Sequence, residues 1–355
     1  MGLGREPGRG GPMLDVHGDF RCCDRCTGNA TAVRASRRRM LKAAVFTAHD
    51  GPPGPEADRA ADFPAPGKLP RAITGTVRDV SPHVLVIGNG ASETRVALTS
   101  DATAWRGAPL EPSGVQPGDQ AVVRLHPSQR SVADRIWANI GRVTGVIIER
   151  DADSLLVDEG KTKPRQLVTI PGGASGRIQV RFPNLEPGYL IDVIGVRRSD
   201  ELEARIPATS QPAYPVDQMP TPAMVTGRVP AAISGSVTWH EPVDEPPGLL
   251  GVSYPALDPG SGCAEDPVGS VAPQFVRMPY LAVGSVLQVS NDCTGSTCML
   301  SVTGCAAIAR LFNDRCVTCG TSPRGRVADL TQASFIALGG ELDRGCFNAT
   351  ITIGR

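Results

Sequence analysis

Asp314 and Asp329 are the residues most able to do chemistry in this chain, and they flank a cysteine pair in Asn313-Asp314-Arg315-Cys316-Val317-Thr318-Cys319. A Gly- and Arg-rich loop follows, and Asp329-Leu330-Thr331 then leads into a short helix. Leu311 and Phe312 precede one acid and Val327 the other. Both carboxylates are therefore expected at strand ends, where side chains can face a groove. Such a groove suits a polar ligand such as a sugar. Cleaving a glycosidic bond would need one carboxyl as proton donor and a second group to activate water, form the nucleophile or stabilise positive charge. Two alternatives are structural: Asp329 caps the helix over 334–338 by accepting a backbone N–H, and Asp314 pairs with Arg315, Arg324 or Arg326.

The elements that position these acids belong to a long, glycine- and proline-rich chain. Its 355 residues suggest two or three domains, each able to bury a core. Gly (40) and Pro (32) make up about a fifth of the chain, which breaks helices and favours short strands and turns, so the expected class is mainly β. Lys plus Arg (36) equals Asp plus Glu (36), so no global field attracts nucleic acid or an anionic membrane. No segment is long and apolar enough to span a bilayer as a helix.

Cysteine is concentrated at the two ends. Cys22, Cys23 and Cys26 lie near the N-terminus, and Cys263, Cys293, Cys298, Cys305, Cys316, Cys319 and Cys346 crowd the C-terminal region. Structural disulfides in an oxidising compartment are favoured over zinc or redox catalysis, because Cys316 and Cys319 form the one C-terminal CxxC and no His follows His240. No metal or cofactor is expected. Ser36-Arg37-Arg38-Arg39-Met40-Leu41-Lys42 is similar to a twin-arginine export motif, although the apolar run after it ends at Ala48. The expected location is extracellular or in the cell envelope, with the cytoplasm as the alternative.

Residues 1–70 are expected to be a disordered leader and linker, with order beginning near Arg71. A repeat follows at a constant offset of 70 residues. Ile73-Thr74-Gly75-Thr76-Val77 matches Val143-Thr144-Gly145-Val146-Ile147, and Leu85-Val86-Ile87 matches Leu155-Leu156-Val157. Pro117-Gly118 before Ala121–Val123 matches Pro187-Gly188 before Ile191–Val193. Two small β-barrels, OB-like in strand number, are expected over 71–135 and 136–206. Their few aromatics, chiefly Trp105, Trp137, Phe182 and Tyr189, disfavour nucleic-acid binding. A Pro-rich linker over 207–230 contains Pro212, Pro215, Pro220 and Pro222.

The last domain, 231–355, opens with Ile233-Ser234-Gly235-Ser236-Val237-Thr238-Trp239. It continues through Met278-Pro279-Tyr280 and Asp314-Arg315-Cys316-x-x-Cys319. Asp329-Leu330-Thr331-x-x-x-Phe335 and Gly345-Cys346-x-x-Ala349-Thr350-Ile351 complete it. This order resembles the six-stranded double-psi β-barrel of the rare lipoprotein A and expansin families, over about a third of the chain. The resemblance implies a groove with Asp329 as its principal acid, Asp314 as the second and Thr238 beside them, with Ser236 on the same strand face. Trp239 and Tyr254 are the candidate sugar-stacking rings. It also implies a cell-wall polysaccharide or peptidoglycan as partner, bound or remodelled rather than cut. The alternatives are lytic transglycosylase cleavage and a structural or protein-interaction module. The histidine that the lytic enzymes carry is replaced by Phe275, and Glu265 and Asp266 do not align cleanly with their upstream acids, which favours binding.

Overall fold

The computed structural model describes residues 71–90, 92–160, 163–210, 215–218, 231–242, 245–246, 248–257, 278–312 and 325–353. The leader 1–70 lies outside them, as do most of the 207–230 linker and the residues Cys263, Glu265, Asp266, Phe275, Asp314, Arg315, Cys316, Cys319 and Arg324. The chain is mainly β, as its composition implies, and forms three closed barrels.

The first barrel contains β1 (Arg71–Val80), β2 (Val84–Asn89), β3 (Ser92–Trp105), the two-residue β4 (Pro109–Leu110), β5 (Gln120–His126) and β6 (Gln129–Ala138). Its sheet runs β2-β1-β5-β6-β3-β4, and the β2–β3 pairing closes it, with β3 and β6 parallel. The second contains β7 (Ile140–Asp151), β8 (Ser154–Asp158), β9 (Gln166–Thr169), helix α1 (Gly172–Arg181), β10 (Leu190–Arg198) and β11 (Glu201–Pro207). It closes as β10-β11-β9-β8-β7, with β9 and β11 parallel in the place of β3 and β6. Each is a five-stranded barrel of OB-like topology.

The repeat extends to individual hydrogen bonds. The Val77 N–H donates to the Asp119 carbonyl at 2.8 Å and the Ile147 N–H to the Tyr189 carbonyl at 2.9 Å. The Gly118 and Gly188 N–H groups return 2.8 Å bonds to the Val77 and Ile147 carbonyls. Both glycines have positive φ, +95° and +89°, which costs glycine little and other residues more. Gly75 and Gly145 are matched for a different reason. A Cβ on either would lie 2.4 Å from the Gly88 carbonyl oxygen or 2.1 Å from that of Asp158. Each repeat also breaks register at the same point, between Val77 and Asp79 and between Ile147 and Glu149. Separate cores fill the barrels, with Val77, Leu85, Ile87 and Val123 in one and Ile147, Leu155, Val157 and Val193 in the other.

Two expected boundaries are corrected. β6 carries through Trp137 to Ala138 because those residues complete the first barrel and are fully buried, so the barrels meet at Asn139 rather than at 135/136. Asn139 takes a positive φ of 50° there. The 207–230 segment does not begin as a spacer, since Ala208, Thr209 and Val216 are buried.

The third barrel contains β12 (Ala232–Trp239), β13 (Gly251–Tyr254), β14 (Val286–Asn291), β15 (Thr297–Cys305), β16 (Arg326–Leu330) and β17 (Cys346–Ile353). It closes in the order β12-β16-β13-β15-β14-β17. Two parallel pairs, β12–β16 and β13–β15, flank the antiparallel β16–β13 pair, and the other three pairs are antiparallel. Helix α2 (Gln332–Ala337) follows β16 and is wholly buried. Thr331 caps it by accepting from the Ser334 N–H, and Phe335 stacks on Phe347 with ring centroids 4.7 Å apart.

Polar locks join both repeats to the third barrel. Asp343, in the turn after α2, accepts from Trp137 Nε1 at 2.6 Å and from Arg135 Nη2 at 2.9 Å, while Glu341 pairs with Arg124. The second barrel docks through Asp192, which is fully buried. Arg142 donates to it through Nε at 2.9 Å and Nη2 at 2.7 Å, and Arg326 of β16 donates through Nη2 at 2.5 Å. Thr144 and Thr209 add hydroxyl donors, and Arg142 Nη1 donates to the Gly345 carbonyl at 2.6 Å. Buried charges persist only when paired and hydrogen-bonded in this way.

Burial alone would raise the Asp192 carboxyl, but Arg142, Arg326 and the donated hydrogen bonds outweigh it and lower the pKa from 3.8 to about 2. The folded chain therefore binds this proton more weakly than the unfolded chain. The resulting stability, about 2 kcal/mol from the size of the shift, is complete above about pH 4 and is lost as pH falls through about 2. Asp192→Asn should cost about 3–5 kcal/mol in urea unfolding at pH 7, because two guanidiniums lose their anion. It should also flatten the acid limb of the stability curve. Unchanged unfolding and an unchanged acid limb would contradict this role.

Candidate functional site

β12 and β16 bring Thr238 and Asp329 together as direct partners in a parallel register, and β13 places Ser253 opposite Asp329 on the other side. Three polar side chains from three strands thus share one rung. The Thr238 hydroxyl donates to Asp329 Oδ1, and Arg326 Nη1 stands 3.7 Å from the same oxygen. Arg326 is itself fixed, since its guanidinium lies 4.0 Å from the Phe312 ring centroid and is held by Asp192. The Asp329 side chain remains 15% exposed. Its carboxylate is anchored on one side and reaches solvent on the other, so an external hydroxyl could donate to it.

This placement separates the readings of Asp329. Thr331, not Asp329, caps α2, so the carboxylate is not used for the helix start. Asp314, the second candidate acid, lies outside the described residues. The nearby network acids are engaged: Asp192 by two arginines, and Glu241 by the Arg142 N–H and by Arg197 Nη2 at 2.6 Å. Burial pushes the Glu159 carboxyl up, opposed by Lys163 and by a hydrogen bond from the Thr144 N–H.

Other candidate residues occupy different places. Trp239 is 1% exposed and Tyr254 is fully buried, so neither ring faces a sugar. Trp239 Nε1 donates to the Leu342 carbonyl at 2.9 Å with Arg142 5.6 Å from its ring, and the Tyr254 hydroxyl donates to the Pro279 carbonyl at 3.0 Å. Packing against neighbouring elements consumes both polar tips. Burial also pushes the Tyr254 phenol up. Ser236, expected in the groove, is buried. His240 Nε2 lies 2.9 Å from Glu245, and no group of three or more His, Cys, Asp or Glu suited to a metal occurs among the described residues.

The cysteines also divide. Cys305 is disulfide-bonded. Cys346 is buried beside Thr238 in register, and Cys293 is half-buried. Cys298, a disulfide candidate from the sequence, is instead a free thiol on the inward face of β15, packed in the core with Val289 and Leu300. Burial pushes this thiol up, which disfavours the reactive thiolate. Sequence reasoning missed Ser253 and the anchoring role of Arg326. The pairing of β13 with β16 that supplies Ser253 has no local signature, although Arg326 at i−3 from Asp329 was visible as a possible ion partner.

No protein-family model matches the chain, and no curated protein matches it.

Thr238→Val keeps the branched shape and removes the donor to Asp329. It should destabilise the protein by about 1 kcal/mol in urea, whereas Thr238→Ser should cost less. Equal losses for the two would show that the hydroxyl is not the anchor. Cys298 should resist alkylation in the folded protein and react after denaturation, as read by peptide mass spectrometry. Rapid labelling of the native protein would contradict its placement in the core.

Proposed function

We propose that the third barrel binds, and in that sense remodels, a cell-wall polysaccharide, peptidoglycan included, through the face where Asp329, Thr238 and Ser253 meet. The observation that carries this reading is a solvent-reaching Asp329 carboxylate held by Thr238 and Arg326 and not used as a helix cap. A carboxylate flanked by hydroxyls is a good acceptor for the vicinal hydroxyls of a sugar, and charge-assisted hydrogen bonds of this kind are stronger than neutral ones. The sequence resemblance of residues 231–355 to the rare lipoprotein A and expansin families points to the same ligand class. Binding is favoured over cleavage because glycosidic hydrolysis of the usual kind needs a second carboxyl at a set separation from the first. Among the described residues, Asp192 and Glu241 of the neighbouring network are already committed to arginines. Such a ligand places the barrel in the cell envelope or outside the cell, in keeping with the export-like Arg37-Arg38 segment.

Sedimentation with purified peptidoglycan should deplete the wild-type protein from solution. Asp329→Asn, with its fold checked by circular dichroism, should weaken retention by about tenfold, the effect of about 1.4 kcal/mol. A zymogram on the same preparation should show no clearing. Released muropeptides would replace this reading with lytic cleavage. No retention by any wall fraction would favour a protein-interaction module.

A further inference from the structure

Tyr280 is the one exposed aromatic ring among the described residues, 61% accessible in a chain whose residues are 4% aromatic. Every described Trp and Phe is buried, Tyr254 is buried, and Tyr189 packs against the core of the second barrel. A lone apolar residue on a loose surface loop would need no explanation. Tyr280 differs because the backbone on both sides of it is fixed.

The clamp begins one residue before the ring. Pro279 is buried and its carbonyl accepts from the Tyr254 hydroxyl at 3.0 Å, so the phenol expected to meet a sugar instead supports the chain beside an exposed ring. One residue after the ring, the Leu281 N–H donates to the Ala256 carbonyl at 3.0 Å, and Leu281 bridges Leu257 in parallel. The Gly284 N–H then donates to the Val302 carbonyl at 2.8 Å. Met278 and Leu281 both pack against the core of the third barrel. With its neighbour Leu281 committed inward, Tyr280 is turned outward, as Asp329 is between the core residues Ala328 and Leu330. A ring held on such a frame meets a ligand without the entropy cost of ordering a loop.

We propose that Tyr280 is the stacking ring of the glycan site whose acid is Asp329. The C–H face of one sugar lies on the ring while hydroxyls of another donate to the carboxylate. The proposal rests on the reading of Asp329 given above and adds the apolar half of that site. A sugar has both apolar C–H faces and polar hydroxyls, and binding sites combine rings with a few placed polar groups to match such ligands. Both places lie within reach of one chain. Ser253, opposite Asp329, is four residues from Leu257, at most about 14 Å of backbone, and the bridge to Leu281 adds about 5 Å. An extended oligosaccharide spans that distance and a single sugar does not, so the site takes a chain and discriminates against its monosaccharides.

The test is sedimentation of the full chain with purified peptidoglycan, with N-acetylglucosamine as soluble competitor in a parallel set. Wild-type protein should be retained, and the monosaccharide should not displace it. Tyr280→Ala should weaken retention about tenfold, and Tyr280→Leu, which keeps apolar area but has no ring, should weaken it nearly as much. Tyr280→Trp should bind as wild type does or better. Because the side chain is exposed, thermal unfolding of all three variants should match wild type. Retention of Tyr280→Ala or Tyr280→Leu at the wild-type level, while Asp329→Asn is weakened, would overturn the stacking ring and leave the Asp329 reading standing. Wild-type protein that is not retained would overturn that reading, and the stacking ring with it.

Discussion

The buried carboxylate of Asp192, gripped between Arg142 and Arg326, is the contact on which the rest of the arrangement depends. Arg142 belongs to the second barrel and Arg326 to the third, so one anion bridges two cations from two separately closed barrels. Removing any member would leave a buried charge without its partner, which is far more costly than never having buried the set. The consequence reaches the surface. Arg326 is held at one end by Asp192 and stands near Asp329 at the other, and Asp329 in turn accepts from Thr238. With two carboxylates and two guanidiniums, the cluster balances in charge, and its one solvent-reaching member is the candidate ligand acid.

This dependence gives the repeats a role beyond spacing. β5 and β10 are matched strands, and both turn an outward residue toward the third barrel: Val122 from the first repeat and Asp192 from the second. The first repeat meets its neighbour through an apolar side chain, supplemented by Trp137 and two arginines on the turn after α2. The second meets it through an ion. The same backbone unit has thus been used twice with different side-chain chemistry at an equivalent position, and only the ionic version connects to the site.

Much of the fold was legible because its signals are local. Gly75 and Gly145 are matched where a carbonyl approaches too closely for a side chain, and Gly118 and Gly188 where the chain turns with positive φ, so the offset of 70 could be read directly. The site was legible in part. Asp329 and Thr238 were paired in expectation and meet in register, but Trp239 and Tyr254 were read as sugar platforms and are core. Their burial depends on neighbouring elements that no local pattern announces. The Asp192 lock joins residues 50 and 134 positions apart in sequence, beyond any periodicity. One signal was present: a lone acid inside the apolar run Leu190-Ile191-Asp192-Val193-Ile194 should have a buried partner.

In the proposed binding mode a sugar chain docks against Asp329, with Thr238 and Ser253 alongside. The most direct measurement is a map of backbone amide shifts by NMR as soluble muropeptide or oligosaccharide fragments are titrated into the full chain. Saturable changes centred on Thr238, Ser253, Asp329 and Leu330 are expected, and they should disappear in Asp329→Asn. Saturable changes confined to the first two barrels, or the same changes persisting in Asp329→Asn, would contradict it.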